Sequence, residues 1–373
     1  MSHDHHDGVA PLPVKSHAFG TTLLVLTVGY LAIALWMWGV LDPPLRANDV
    51  IRYWRDSLTW QRPFDPYHVP AYPLAIAGWR TITHNFFHPL LLMMSINFIG
   101  YLVSSLLLCK IFRRLSIPRD QALLGIIIYG LWPFVGLTYT VVPMADTPAL
   151  CLFLAGLLAA LSRRPRTAAA LWALAMVTHK AMWLFCLLGM IAMLADRRER
   201  IGITFQSLII IVAPLTLLWV GGAVYHGTPT WLLASNIETE VVSRSYLPLL
   251  DGLIGPWVVG GVTNQMKGLV TVLLGITVVA LLITIHRHQE LLYYRYGIAI
   301  ALSIMLMLII LNQHEIWAAV RFSRPLIIPL AMVTHQSAQI ARWIRPKIVA
   351  PAIGALFFSQ MAYGWYWVTV FGH

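Results

Sequence analysis

Residues 88–114 read HPLLLMMSINFIGYLVSSLLLCKIFRR. From Pro89 to Cys109 the run has no charged side chain, and it closes on Lys110, Arg113 and Arg114. An apolar stretch of this length matches the roughly 20 residues an α-helix needs to cross a hydrocarbon core about 30 Å thick. Inside a bilayer every backbone polar group must be satisfied internally, so the run predicts a helix. The closing basic cluster predicts its cytoplasmic end, because Lys and Arg are retained on that side.

The same pattern recurs along the chain. Of its 373 residues, 58% are hydrophobic and 11% charged, whereas a soluble domain carries about 25% charged residues. The expected fold is therefore all-α: a polytopic transmembrane helical bundle forming one domain over residues 1–373. Spans are expected near 19–41, 88–109, 121–142, 147–161, 167–179, 181–195, 204–225, 266–286, 296–312, 323–338 and 349–370. Residues 1–18 form a polar tail, in which His3, His5 and His6 with Asp4 and Asp7 read as solvated side chains rather than a metal site. The apolar run from Phe19 to Leu41 is too long for a signal-peptide core and lacks a clear small-residue cleavage site. It reads as an uncleaved first span.

The net charge of +11 would suggest nucleic acid on a soluble protein. Here it reads as a topology signal plus contact with anionic headgroups, and no nucleic-acid partner is expected. With the N-terminus cytoplasmic and eleven spans, the cytoplasmic tail and short loops hold 16 of the 26 Lys and Arg residues. The external side holds nine of the fifteen acids. Spans five and six flank Thr178-His179-Lys180; joining them as one broken helix would move ADRRER and ARWIRPK outside, against the charge rule. Cys109, Cys151 and Cys186 lie in apolar stretches without CxxC spacing and read as small core residues.

Two external loops are long, residues 42–87 and 226–265, and short connections are the norm. In the first, IRYWRDSLTW spaces Ile51, Trp54 and Leu58 about a helical turn apart, with Arg52, Arg55 and Asp56 elsewhere. That pattern suits a helix lying in the interface, apolar face down. The following RPFDPYHVPAYPL is too proline-rich to continue as helix. Asp49 stands at the start of this segment. A carboxylate at the external surface can take the proton of a hydroxyl as that hydroxyl attacks an electrophile; Asn48 or Asp49 is equally suited to capping the helix.

The first external loop resembles that of the GT-C superfamily of integral-membrane glycosyltransferases, which use polyprenyl-phosphate sugars. The matching residues are Asp49, Tyr53, Trp54, Pro66-Tyr67 and Tyr72-Pro73-Leu74, with Asn48 where the family usually has Gly. The resemblance implies that Asp49 is the catalytic base. Downstream, PMADTPALCLFLAGLLAAL, RTAAALWALAMVTHKAMWLF and AAVRFSRPLIIPLAMV resemble later segments of the phosphatidylinositol-glycan mannosyltransferase group. Asp146 stands where relatives often carry Glu, and Thr178-His179-Lys180 where many end in Thr-Arg.

Asp49, Asp146, His179, Lys180, Arg321 and Arg324 all fall at external ends of the expected spans. Ionisable groups at the membrane boundary are costly and usually functional. A departing polyprenyl phosphate needs cations, and Lys180, Arg321 and Arg324, with Arg244 further off, are the candidates. Each has a structural alternative: headgroup contact for Arg324, pairing with Asp146 for Lys180, and helix capping for Asp146. Asp146, His179, Asp56, Glu238 and Glu240 are candidates for a second acid/base or for acceptor binding. No complete metal-ligand set is visible and no cofactor is required. Trp54, Tyr67 and Tyr72 are candidates for stacking on sugar rings.

The expected activity is transfer of a mannose-type hexose from a polyprenyl-phosphate donor to a lipid or glycan acceptor. The expected location is a bacterial inner membrane, with the site extracytoplasmic. Two rivals remain: a transporter or flippase of lipid-linked glycans, and a non-catalytic membrane subunit of a glycan assembly complex.

Overall fold

A computed structural model describes residues 16–40, 48–59, 69–84, 88–133, 136–195, 201–229, 257, 262–286, 294–310, 316–336 and 346–371. Every regular element among the described residues is helical. In chain order they are α1 (Ser16–Val40), α2 (Asn48–Thr59), α3 (Ala71–Ile82), α4 (Pro89–Arg114), α5 (Arg119–Gly130), α6 (Thr138–Val141), α7 (Asp146–Leu161) and α8 (Pro165–Met176). Then follow α9 (Met182–Leu194), α10 (Ile201–His226), α11 (Val262–His286), α12 (Tyr294–Ile310) and α13 (Ile316–Phe322). A 3₁₀ turn at Arg324–Leu326 leads into α14 (Ile327–Gln336), and α15 (Pro346–Phe371) closes the described chain.

Four helices are long and apolar enough to cross a membrane, with spans at Phe19–Met37, Leu90–Arg114, Phe205–His226 and Gly268–Ile285. They match the first, second, seventh and eighth expected spans. Shorter apolar helices occupy Asp146–Leu161, Met182–Leu194, Tyr294–Ile310 and Val349–Ala362.

Local sequence explains the long rod of α4. The His88 ring accepts from the Leu90 amide at 3.3 Å, and Pro89 takes the first helical position, where no amide donor is needed. Arg113 and Arg114 end it against the negative end of the helix dipole. The expected span 121–142 is instead broken. The helix α5 stops at Gly130, before Trp132-Pro133, and only the four residues of α6 resume it. Proline at 133 cannot continue a hydrogen-bonded helix.

Residues 165–194 form a hairpin. The Trp172 ring lies between α7 and α9: a methyl group built on Gly156 would stand 2.4 Å from it, and one on Gly189 3.2 Å. A continuous helix would hold residues 172 and 189 about 25 Å apart, so α8 and α9 fold back on each other. Glycine at both positions gives the close approach that packed membrane helices favour. Trp172 Nε1 also donates to the Phe153 carbonyl at 3.2 Å. At the opposite end from residues 177–181, Arg295 donates to the Ala195 carbonyl, tying α12 to α9.

The first external loop differs from its sequence reading. Within residues 42–87, Ala71–Ile82 form helix α3, which carries Pro73 in its first turn, where the missing amide hydrogen leaves no helix bond unmade. The amphipathic helix is present as α2, but its packed face is Val50, Tyr53 and Ser57, while Ile51 and Leu58 stay exposed and Trp54 is half-buried.

Candidate functional site

Four interruptions of helix meet in one place: the start of α3, the turn before α7, the α8–α9 turn, and the α13–3₁₀–α14 break. Asn97 of α4 holds two of them. It accepts from the Tyr72 hydroxyl at 3.1 Å, and its amide donates to the carbonyls of Met144 at 3.0 Å and Val142 at 3.3 Å. The Ala71 amide donates to the Val177 carbonyl at 3.0 Å, joining α3 to the end of α8. Helix α2 joins through Tyr53, whose ring meets that of Tyr72 edge-on at 4.9 Å. Irregular backbone at membrane depth persists only where protein buries it or a cavity needs it.

The ionisable groups gather at the same junction. Arg321 Nε stands 3.4 Å from Asp146 Oδ1, with Asp146 fully buried and Arg321 keeping 15% of its side-chain exposure. Arg324 is fully buried two residues beyond Phe322, within electrostatic reach of Tyr129, Asp146 and Tyr101. The His179 ring packs on Phe322 with centroids 4.6 Å apart, and its Nδ1 accepts from the Ala181 amide at 3.1 Å. Lys180 is half-buried in the same turn. The break that carries Arg324 is fixed by Ser323, whose hydroxyl accepts from Trp132 Nε1 at 2.8 Å and donates to the Val320 carbonyl at 2.7 Å.

Helix α4 serves as a ruler for the depth of this cluster. It has 26 residues, about 39 Å at 1.5 Å per residue. Asn97 lies about 12 Å from its Pro89 end and Gly100 about 16 Å. A methyl group on Gly100 would touch Thr147 at 3.6 Å. Thr147, and Asp146 beside it, therefore pack on α4 about 16 Å from its Pro89 end, and Asp146 opens α7, as expected of a residue at the end of a span. The depth follows from length: α7, α8 and α9 have only 16, 12 and 13 residues. Their polar ends stop inside the bundle.

Three further readings change. Asp146 does not cap its helix: Ala145 holds the cap position, without a side-chain cap bond. The ion pair of Asp146 is with Arg321 rather than Lys180. Tyr72 is fully buried and committed to Asn97, so it is not a surface on which a sugar stacks. Asp56 is half-buried on α2, away from that helix's packed face. The backbone of Asp49 belongs to the first turn of α2. Its side chain, residues 1–15 of the polar tail, Pro66-Tyr67, Glu238, Glu240 and Arg244 lie outside the described residues, while Ser16, His17 and Ala18 of that tail already belong to α1. Among the described residues no three His, Cys, Asp or Glu side chains come together as a metal site.

Asn97 escaped the sequence reading, although a lone amide within LLLMMSINFIGYL was a legible signal. Replacing it by Leu strands the Tyr72 hydroxyl and two buried carbonyls. Thermal unfolding in detergent should show Asn97→Leu destabilised by about 1–3 kcal/mol, and Tyr72→Phe by less, since it removes a donor and leaves only one acceptor short.

Comparison with protein-family models, with curated proteins and with solved structures gives no match.

Proposed function

We propose that the protein is a membrane glycosyltransferase of GT-C type, moving a mannose-type hexose from a polyprenyl phosphate to a lipid or glycan acceptor at the extracytoplasmic face. One observation carries the reading: the Arg321 guanidinium stands 3.4 Å from the buried carboxylate of Asp146, and a second, fully buried guanidinium, Arg324, lies within electrostatic reach of that carboxylate at a junction of helix breaks. Burying a cation is expensive, and a bound anion offsets that cost. A lipid phosphate supplies that anion and arrives from the bilayer itself.

The chemistry follows from the placement. In the inverting form, Asp49 takes the proton of the acceptor hydroxyl, and the freed oxygen attacks the anomeric carbon of the donor. The carbon–oxygen bond to phosphate breaks, and polyprenyl phosphate leaves with its new charge held by Arg321 and Arg324, with Lys180 beside them. A retaining course would use the same cations. Helix α2 is tied to the junction through Tyr53 and Tyr72, which supports a base in its first turn. Ile51 and Leu58 are exposed on α2, as a helix in the membrane interface requires. The eleven-span topology, with the N-terminus cytoplasmic in a bacterial inner membrane, puts this junction on the external side.

One observation favours a second reading. Charged groups at depth beside broken helices are also how transporters build a site at mid-membrane, so translocation of a lipid-linked glycan is the alternative. Reconstituted vesicles separate the two. With synthetic polyprenyl-phosphate mannose, glucose or arabinofuranose and mixed lipid acceptors, an enzyme yields glycosylated acceptor and free polyprenyl phosphate. A flippase moves the intact donor between leaflets, and that outcome would replace the present reading.

A further inference from the structure

Asp146 has an unusual position for a candidate acid or base. Both carboxylate oxygens are buried, and neither accepts a hydrogen bond among the described residues. It does not cap α7. Its ion pair is with Arg321, a side chain that keeps some exposure where Asp146 keeps none. Asp146 is thus more deeply buried than Arg321, and Arg324 is as deeply buried as Asp146 itself. A general base must come within hydrogen-bond reach of the hydroxyl it deprotonates. A fully buried carboxylate lacks that reach, whereas Arg321 keeps some exposure.

We propose that Asp146 is a positioning residue: its buried carboxylate anchors the Arg321 guanidinium, so that Arg321 meets the donor phosphate in a fixed orientation. This rests on the glycosyltransferase reading. Arginine recognises phosphate through a planar fork whose direction decides whether both contacts form. A long side chain without an anchor loses that direction, and ordering it on binding weakens affinity. Asp146 also offsets one of two nearby guanidinium charges. Without it the fully buried Arg324 and the adjacent Arg321 repel one another across a low-dielectric space.

Kinetics with varied donor test this, comparing wild type with Asp146→Asn, Asp146→Glu and the double variant Asp146→Asn/Arg321→Gln. The expected result for Asp146→Asn is a donor KM raised about 10- to 100-fold with kcat within a few-fold of wild type. Asp146→Glu, which keeps the charge, should recover part of that KM. Thermal unfolding should show Asp146→Asn less stable than wild type, and the double variant more stable than Asp146→Asn because one of two neighbouring guanidinium charges is gone. If Asp146→Asn does not fold, the raised KM is read from the other two variants. A loss confined to kcat, with KM unchanged and one limb of the pH–rate profile gone, would make Asp146 an acid or base and overturn the positioning role alone. Equal KM in all variants would overturn it as well. No transfer by wild type would overturn the enzyme reading and the positioning role together.

Discussion

Asp49→Asn is expected to fold as the wild type does and to lose hexose transfer by about 10²- to 10⁴-fold, the range one well-placed general base contributes. The substitution isolates chemistry from structure. Asn and Asp are comparable at the start of a helix, and Asn48 already begins α2, so helix formation is preserved. The amide keeps the size of the carboxylate and loses only its ability to take a proton. The loss should appear in kcat, since the proposed donor-phosphate site, Arg321 and Arg324, is elsewhere. Circular dichroism and detergent melting check the fold, and product formation from polyprenyl-phosphate mannose checks the loss. Transfer that survives at the wild-type rate would move the base along α2, with Asp56 the next carboxylate to test.

Arg324→Met should separate stability from activity. Arg324 is fully buried, and Asp146, the nearby carboxylate, is already paired with Arg321. Losing a buried ion removes its desolvation penalty and its attraction to nearby groups together, and the Asp146–Arg321 pair stays in place. The two effects oppose each other, so thermal stability should change little. Transfer should fall about 10²- to 10³-fold, the usual effect of deleting one preorganised group that stabilises developing charge. A variant that unfolds outright would show that Arg324 is retained for the fold.

A loss of stability is expected for the carboxylate. Removing Asp146 takes a negative charge away from two nearby guanidinium groups, whereas removing Arg324 leaves the Asp146–Arg321 pair in place.

Much of the helical pattern was legible because the physics that writes it is local. Pro89 and the Arg113-Arg114 pair mark the ends of α4 by missing donors and helix dipole, and neither depends on tertiary contacts. The gathering of Asp146, His179, Arg321 and Arg324 was legible too, since counting Lys and Arg put them on one side of the membrane. Their depth was not. It depends on α7, α8 and α9 being shorter than α4, and boundary residues such as Val177 and Ala181 carry no strong stop signal. The helix α3 was hidden by Pro73, which reads as a breaker unless its position in the first turn is known. The packed face of α2 was misread for a related reason. Ile51 and Leu58 are the more apolar pair, yet Tyr53 wins burial because Tyr72 and Asn97 stand ready to receive it.

The central claim is that the buried two-arginine junction receives a lipid phosphate. Its most direct measurement is the binding of sugar-free polyprenyl phosphate to purified protein, followed by native mass spectrometry or calorimetry, for wild type and Arg321→Gln. Saturable binding by wild type is expected, weakening about 10- to 100-fold in the variant. Equal binding by both proteins, or none by the wild type, would contradict it.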